Sequence, residues 1–266
     1  MHTVTSADGT TIAYERAGSG PTIVFLSGAF NDRTTCAPVA EHLRDRWTTV
    51  LVDRRGRGDS TDAIAAADVG TYDVRREIED LDAVIAAEGG DAVVFGFSSG
   101  AHLALHAAAA GSRITRLALY EPPFAIGGLA GTAREGLVEK LAALVADGKN
   151  GDAVATMQLE GIGLPAEMVE QARRSPMWAG LEAMAQTVVY DAALTRAPNV
   201  PTPQMARLEV PTLVLAGAES WPMLRDASRA LAQQLARAEY VEVAGGSGHG
   251  MPAESTADAV TEFLGR

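Results

Sequence analysis

The segment Gly96-Phe97-Ser98-Ser99-Gly100 constrains this chain more than any other. It is preceded by the apolar run Ala92-Val93-Val94-Phe95 and followed by the alanine-rich Ala101-His102-Leu103-Ala104-Leu105. A buried strand must therefore hand over directly to a helix, across a turn too tight for bulky side chains on either side of its serine. Such a turn lifts the serine hydroxyl above the sheet edge. The first amides of the helix then point at any negative charge that develops there. The five-residue pattern alone recurs by chance. The strand before it and the helix after it are what make Ser98 a candidate nucleophile.

Similar apolar runs recur along the chain, each ending in a turn. Thr22 to Leu26 leads into Ser27-Gly28-Ala29-Phe30, and Thr49 to Val52 into Asp53-Arg54-Arg55-Gly56-Arg57-Gly58-Asp59-Ser60. Ile114 to Tyr120 ends at Glu121-Pro122-Pro123, Pro211 to Ala216 at Gly217, and Tyr240 to Val243 before Gly245-Gly246-Ser247-Gly248-His249-Gly250. Helix patterns over Ala37–Leu43, Val74–Ala87 and Ser99–Ala109 alternate with the earlier runs, which predicts a mostly parallel sheet covered on both faces. Val4 and Thr11 to Glu15, separated by Asp8-Gly9, predict an antiparallel hairpin at the start. From Ala125 to Met205 the rhythm breaks. That stretch has no strand-like run, and amphipathic helices are predicted over Arg134–Val145 and Pro165–Arg174, between joints rich in Gly and Pro.

The order of three motifs carries a family resemblance. D-x-R-G-x-G-x-S at Asp53–Ser60, G-x-S-x-G at Gly96–Gly100 and G-x-G-H at Gly246–His249 resemble the α/β-hydrolase superfamily over nearly the whole chain. The lid-bearing branch is the most similar: haloalkane dehalogenases, C–C bond hydrolases, cofactor-free haloperoxidase-like esterases and lactonases. The resemblance implies an α/β-hydrolase fold, with a mostly parallel eight-stranded sheet, helices on both faces and an inserted helical cap. Residues 1–124 and 206–266 would form the core and 125–205 the cap. It also implies an oxyanion hole made by the Ser99 amide together with that of Gly28 or Ala29. Ser27 stands where a His-Gly pair is usual, and is either a substrate contact or a small turn residue.

A serine hydroxyl is protonated at neutral pH, so it needs a base, and the base needs a group to orient it. Of five histidines, His249 is the candidate base, because it lies on a glycine-rich loop after the last strand. His102 and His106 share a helix face but lack the intervening carboxylate and further ligands of a metal site. They read as packing residues, and neither metal nor cofactor is expected. The orienting acid departs from the usual pattern. In many relatives an Asp follows the penultimate strand as G-x-x-D, but here the stretch is Gly217-Ala218-Glu219-Ser220. Leu119-Tyr120-Glu121-Pro122 resembles the place where one subgroup of haloalkane dehalogenases, and the zearalenone lactonases, carry a triad Glu. Glu121 is favoured and Glu219 stays open. Dehalogenase chemistry itself is excluded, since it requires Asp where this chain has Ser98. Among the Met and aromatic residues of the cap, Trp178 is singled out as a substrate contact.

A net charge of −12 argues against nucleic-acid partners and against docking on anionic membrane. The N-terminal residues lack a basic stretch followed by an apolar one, and no apolar run is long enough to span a bilayer. With the single cysteine Cys36 no internal disulfide forms, which points to a cytoplasmic setting. The expected activity is serine hydrolysis of a carboxylic ester or lactone of a small to medium apolar molecule, through an acyl-enzyme on Ser98. A C–C bond hydrolase and a non-hydrolytic ligand receptor on the same scaffold are the alternatives. Substrate identity, pathway and oligomeric state are not legible in the sequence.

Overall fold

The computed structural model describes residues 1–126 and 135–266. Its eight strands are β1 (His2–Thr5), β2 (Thr11–Ala17), β3 (Thr22–Leu26), β4 (Thr48–Val52), β5 (Ala92–Phe97), β6 (Ile114–Tyr120), β7 (Thr212–Gly217) and β8 (Ala238–Val243). They form one sheet in the order β1-β2-β4-β3-β5-β6-β7-β8. β1 and β2 are antiparallel, as are β2 and β4, and all later pairings are parallel. The run before Ser98 is thus a central strand, and every residue of it is buried.

Both faces of the sheet are covered, which explains why its strands read as continuous apolar runs rather than alternating ones. Ile23, Phe25, Phe95 and Leu213 pack toward α1 (Ala37–Leu43) and α11 (Ala253–Leu264). Val24, Leu26, Val94 and Val214 face the other way, toward α2 (Arg75–Ala87), α3 (Ser99–Ala110) and α10 (Pro222–Gln234). The alternation follows from the period-two geometry of a strand. Ala101, Ala104, Ala107 and Ala108 form the buried side of α3 and let it lie close on β5.

The elbow shows why glycines flank the serine. Ser98 has φ 55° and ψ −121°, and the chain turns back so sharply that a Cβ on Gly96 would lie 2.5 Å from the Ala101 Cα. One on Gly100 would run into the Leu26 carbonyl. Parallel pairing continues past the strand ends, where Ser98 N–H donates to Tyr120 O and Glu121 N–H to Leu215 O, both at 2.9 Å. Ser98, Glu121 and the end of β7 therefore share one edge of the sheet.

Between β6 and β7 run α4 (Leu137–Ala146), α5 (Asn150–Thr156), a π-turn (Met157–Ile162), α6 (Ala166–Arg173), α7 (Trp178–Ala183), α8 (Ala185–Leu194) and α9 (Pro203–Ala206). No strand occurs among the described residues of this segment. The helix expected over Arg134–Val145 is α4, beginning after Gly136, while Gly127–Arg134 lie outside the described residues. The segment has its own core of Leu141, Val154, Val188 and Tyr190. Tyr190 stacks on Tyr72 with ring centroids 4.1 Å apart, which fixes α8 to the loop before α2. No helix among the described residues is long and apolar enough to cross a membrane.

Candidate active site

Ser98 opens into a cavity of about 120 Å³, shared with Ala29, Phe97, Pro123, Trp221 and His249. Gly28 lies against the elbow: a Cβ there would sit 2.8 Å from the Ser98 Cβ, so any side chain would displace the serine.

Glu121 is fully buried at the end of β6, with φ 46°. A non-glycine residue in that left-handed region is unusual and is held by its surroundings. Its Oε2 lies 2.5 Å from His249 Nδ1, and its Oε1 accepts the Gly217 N–H at 2.9 Å. The turn after β7, which lacks an Asp at the usual place, thus supplies an amide to the carboxylate instead. Glu219 is exposed on that turn. With Nδ1 engaged by Glu121, Nε2 is the imidazole nitrogen left free.

Three hydrogen bonds secure the loop that carries His249. The Ser220 hydroxyl and the Trp221 amide both donate to Gly248 O, at 2.6 and 3.0 Å, and the Tyr120 hydroxyl donates to Gly250 O at 2.9 Å. The imidazole lies between two rings, Phe97 at 4.8 Å and Trp221 at 6.1 Å between centroids. The Ser98 hydroxyl and His249 line the same cavity without a direct hydrogen bond, a distance that closes in catalytic sites once substrate binds.

Two amides near Ser98 have their directions set by the carbonyl of the same peptide. A trans peptide sets its C=O and the following N–H in opposite directions. The Gly28 carbonyl accepts from the buried Arg57 guanidinium, so the Ala29 N–H is turned the other way, and Ala29 lines the cavity. Likewise the Ser98 carbonyl accepts from Ala101 N–H within the first turn of α3, at 2.9 Å. The Ser99 N–H therefore points back out of the helix, where no intrahelical acceptor exists.

The alpha/beta hydrolase family model matches residues 23–263. The chain belongs to the alpha/beta hydrolase family. It is 43% identical to an alpha/beta hydrolase from Sphaerobacter thermophilus, covering 99% of this chain and 100% of that one with a TM-score of 0.87. A thermophilic esterase from Thermogutta terrifontis shares the fold at 21% identity, covering 99% and 97% with a TM-score of 0.66. An uncharacterized hydrolase of Bacillus subtilis, YraK, is 36% identical over 98 residues, which span 36% of this chain and 35% of that protein.

In this alpha/beta hydrolase two residues expected at the substrate lie elsewhere. Ser27 is buried away from the cavity. Its hydroxyl donates to Asn31 O at 3.2 Å and its carbonyl accepts from Arg54, so it is the turn residue of the two readings. Trp178 packs into the core of the helical segment, its indole N–H donating to Glu182 Oε1 at 2.9 Å and the Arg173 guanidinium lying over its ring. The tryptophan beside the cavity is Trp221.

His102 stacks on Phe124 and its Nε2 meets Asn199 Oδ1 at 2.9 Å; burial pushes its pKa down to about 3, so it is a neutral packing residue. Among the described residues no group of three or more His, Cys, Asp or Glu is placed to hold a metal ion. The Asp53–Ser60 loop is a scaffold: Asp53 pairs with Arg33 and accepts the Asp59 N–H, while Arg55 pairs with Asp80 and Asp8.

Proposed function

We propose that this alpha/beta hydrolase cleaves carboxylic esters or lactones of small, uncharged, apolar molecules through an acyl-enzyme on Ser98. Ser98 Oγ attacks the carbonyl carbon while its proton passes to His249 Nε2. Glu121 holds the imidazole tautomer and stabilises the imidazolium that forms. The Ala29 and Ser99 amides receive the developing oxyanion. Collapse of the tetrahedral adduct breaks the C–O bond, and His249 returns the proton to the leaving alkoxide. A water activated by the same imidazole then releases the acid and restores Ser98. With a lactone the alcohol stays tethered and the product is a hydroxy acid.

The observation that carries this reading is the 2.5 Å hydrogen bond between Glu121 and His249, beside the cavity that Ser98 and His249 share. The cavity wall supports the substrate class. Phe97, Ile162, Trp221, Met223 and Leu224 are apolar, and among the described residues His249 is the one titratable group lining it. A volume of about 120 Å³ is well below the roughly 300–1,000 Å³ of sites for drug-sized ligands, which favours short acyl groups. Gly161 and Ile162 come from the π-turn, consistent with residues 125–205 acting as a cap on a core formed by 1–124 and 206–266.

A fluorophosphonate probe tests the proposal. The native protein should label at Ser98 and hydrolyse p-nitrophenyl butyrate, and Ser98→Ala should do neither. A native protein inert to both would favour a ligand receptor instead.

A further inference from the structure

We propose that Asp191, on α8, is a positioning residue for the oxyanion hole, its carboxylate tying the loop that bears Ala29 to the elbow that bears Ser99. The inference rests on Ser98 being the nucleophile.

Asp191 is fully buried and reaches both halves of the hole. Its Oδ1 accepts the Ser99 hydroxyl at 2.7 Å, so the residue whose amide is one donor is held by its own side chain. Its Oδ2 accepts Arg57 Nη2 at 2.8 Å. The other end of that guanidinium, Nη1, donates to the carbonyls of Gly28 and Asn31, which flank Ala29. Among the described residues Arg57 Nε has no hydrogen-bond partner, so the Asp191 bond and the two carbonyls orient the guanidinium. Because the Gly28 carbonyl and the Ala29 N–H belong to one rigid peptide, fixing the first aims the second.

The charges around Asp191 suit this role. Arg54 donates to Asp191 Oδ1 at 2.9 Å and pairs with Glu77 through two hydrogen bonds, and the Tyr72 hydroxyl donates to Glu77 at 2.8 Å. Two guanidiniums balance two carboxylates, so the network adds no net charge beside a site where an anion must develop. Burial alone would raise the Asp191 pKa, but Arg57 and Arg54 outweigh it and hold it below the usual carboxylate range. The nearby Arg55 cluster has the same chemistry but binds Asp8, Asp80 and the Arg76 carbonyl, none of which belongs to the cavity. The segment inserted between β6 and β7 therefore reaches the two loops beside Ser98 through Asp191, in addition to lining the cavity with Gly161 and Ile162.

The test compares Asp191→Asn, Ser99→Ala and Asp80→Asn with the native protein, using p-nitrophenyl butyrate and butylboronic acid. The boronic acid forms a tetrahedral adduct with the serine and places an oxygen in the hole. An amide at position 191 would present an N–H to Arg57 or to Ser99 and release one tie. Asp191→Asn is expected to lower kcat per titrated active site about 100-fold, as an ångström-scale misplacement does, with KM within about twofold. Boronate affinity should fall by a similar factor. Ser99→Ala removes one tie and should lower both by about tenfold, deciding the matter if Asp191→Asn does not fold. Asp80→Asn should lower thermal stability and leave both quantities unchanged. Native kcat and boronate affinity in Asp191→Asn, or in Ser99→Ala should the first not fold, would overturn the inference while leaving the hydrolase reading intact. A native protein that neither labels with fluorophosphonate nor turns over the ester would overturn both.

Discussion

Glu121 and His249 are 128 residues apart in the chain and meet at 2.5 Å across the carboxyl edge of the sheet. Because the carboxylate comes from the end of β6, the turn after β7 has other tasks. Gly217 N–H braces Glu121 Oε1, Ser220 and the Trp221 amide hold the histidine loop, and the Trp221 ring lies against the imidazole.

Replacing Glu121 by Gln should lower kcat about 10⁴-fold, the effect of losing the orienting acid of a serine triad. Glu219→Gln, on an exposed side chain, should change kcat less than about twofold. Both are measured on one good ester. The opposite ranking would return the acid to the β7 turn.

The two tryptophans should separate substrate contact from packing. Trp221→Ala should raise KM and shift the preferred acyl length upward, because it enlarges the cavity, while thermal stability changes little. Trp178→Ala should destabilise by about 3–5 kcal/mol, as expected for truncating a buried aromatic, with KM unchanged. Chain-length profiles and thermal melts on both variants check this pair.

What the sequence revealed follows from how local each signal is. The strand–turn–helix at Ser98 is a local steric rule and was fully legible, as were the apolar runs that precede Glu121 and His249. Trp178 was misread because a tryptophan in an amphipathic helix gives no sign of which neighbour covers it; here α7 turns it into the helical segment. Trp221 did carry a signal. It follows Ser220, the place where the usual acid is missing, and a turn that no longer supplies the acid is free to supply a wall. Asp191 carried none: its contact with Arg54 bridges 137 residues, and nothing in the composition of α8 announces a partner so distant.

Stability should fall in mild acid because of buried histidine. Burial lowers the folded-state pKa of His102 from 6.5 to about 3, and that of His106 moves in the same direction for the same reason. Above pH 6.5 neither state of the chain protonates these groups. Below it the unfolded chain binds protons that the native state refuses, so stability is lost as pH falls toward the folded value. With its folded-state value that far below 6.5, His102 contributes a slope of about 1.4 kcal/mol per pH unit. Unfolded carboxylates titrate near about 4, which leaves pH 5–6.5 as a window for histidine, roughly, by the same reference values. Urea melts should show the slope reduced in His102→Gln, which can still donate to Asn199; an undiminished slope would contradict the assignment.

Cys36 should be inert in the native protein. It is fully buried and desolvation pushes its thiol up to about 12, so almost no thiolate exists to react at neutral pH. A thiol-reactive chromophore should titrate one group in denaturant and none without it.

The acyl-enzyme is the centre of the account, and trapping it is the most direct measurement. Native protein mixed with p-nitrophenyl butyrate and quenched in acid within the first turnovers should gain the mass of one butyryl group, located on Ser98 by peptide mapping. Ser98→Ala should gain nothing and release no p-nitrophenol above background. Turnover retained in Ser98→Ala, or an acyl group mapped to another residue, would contradict the account.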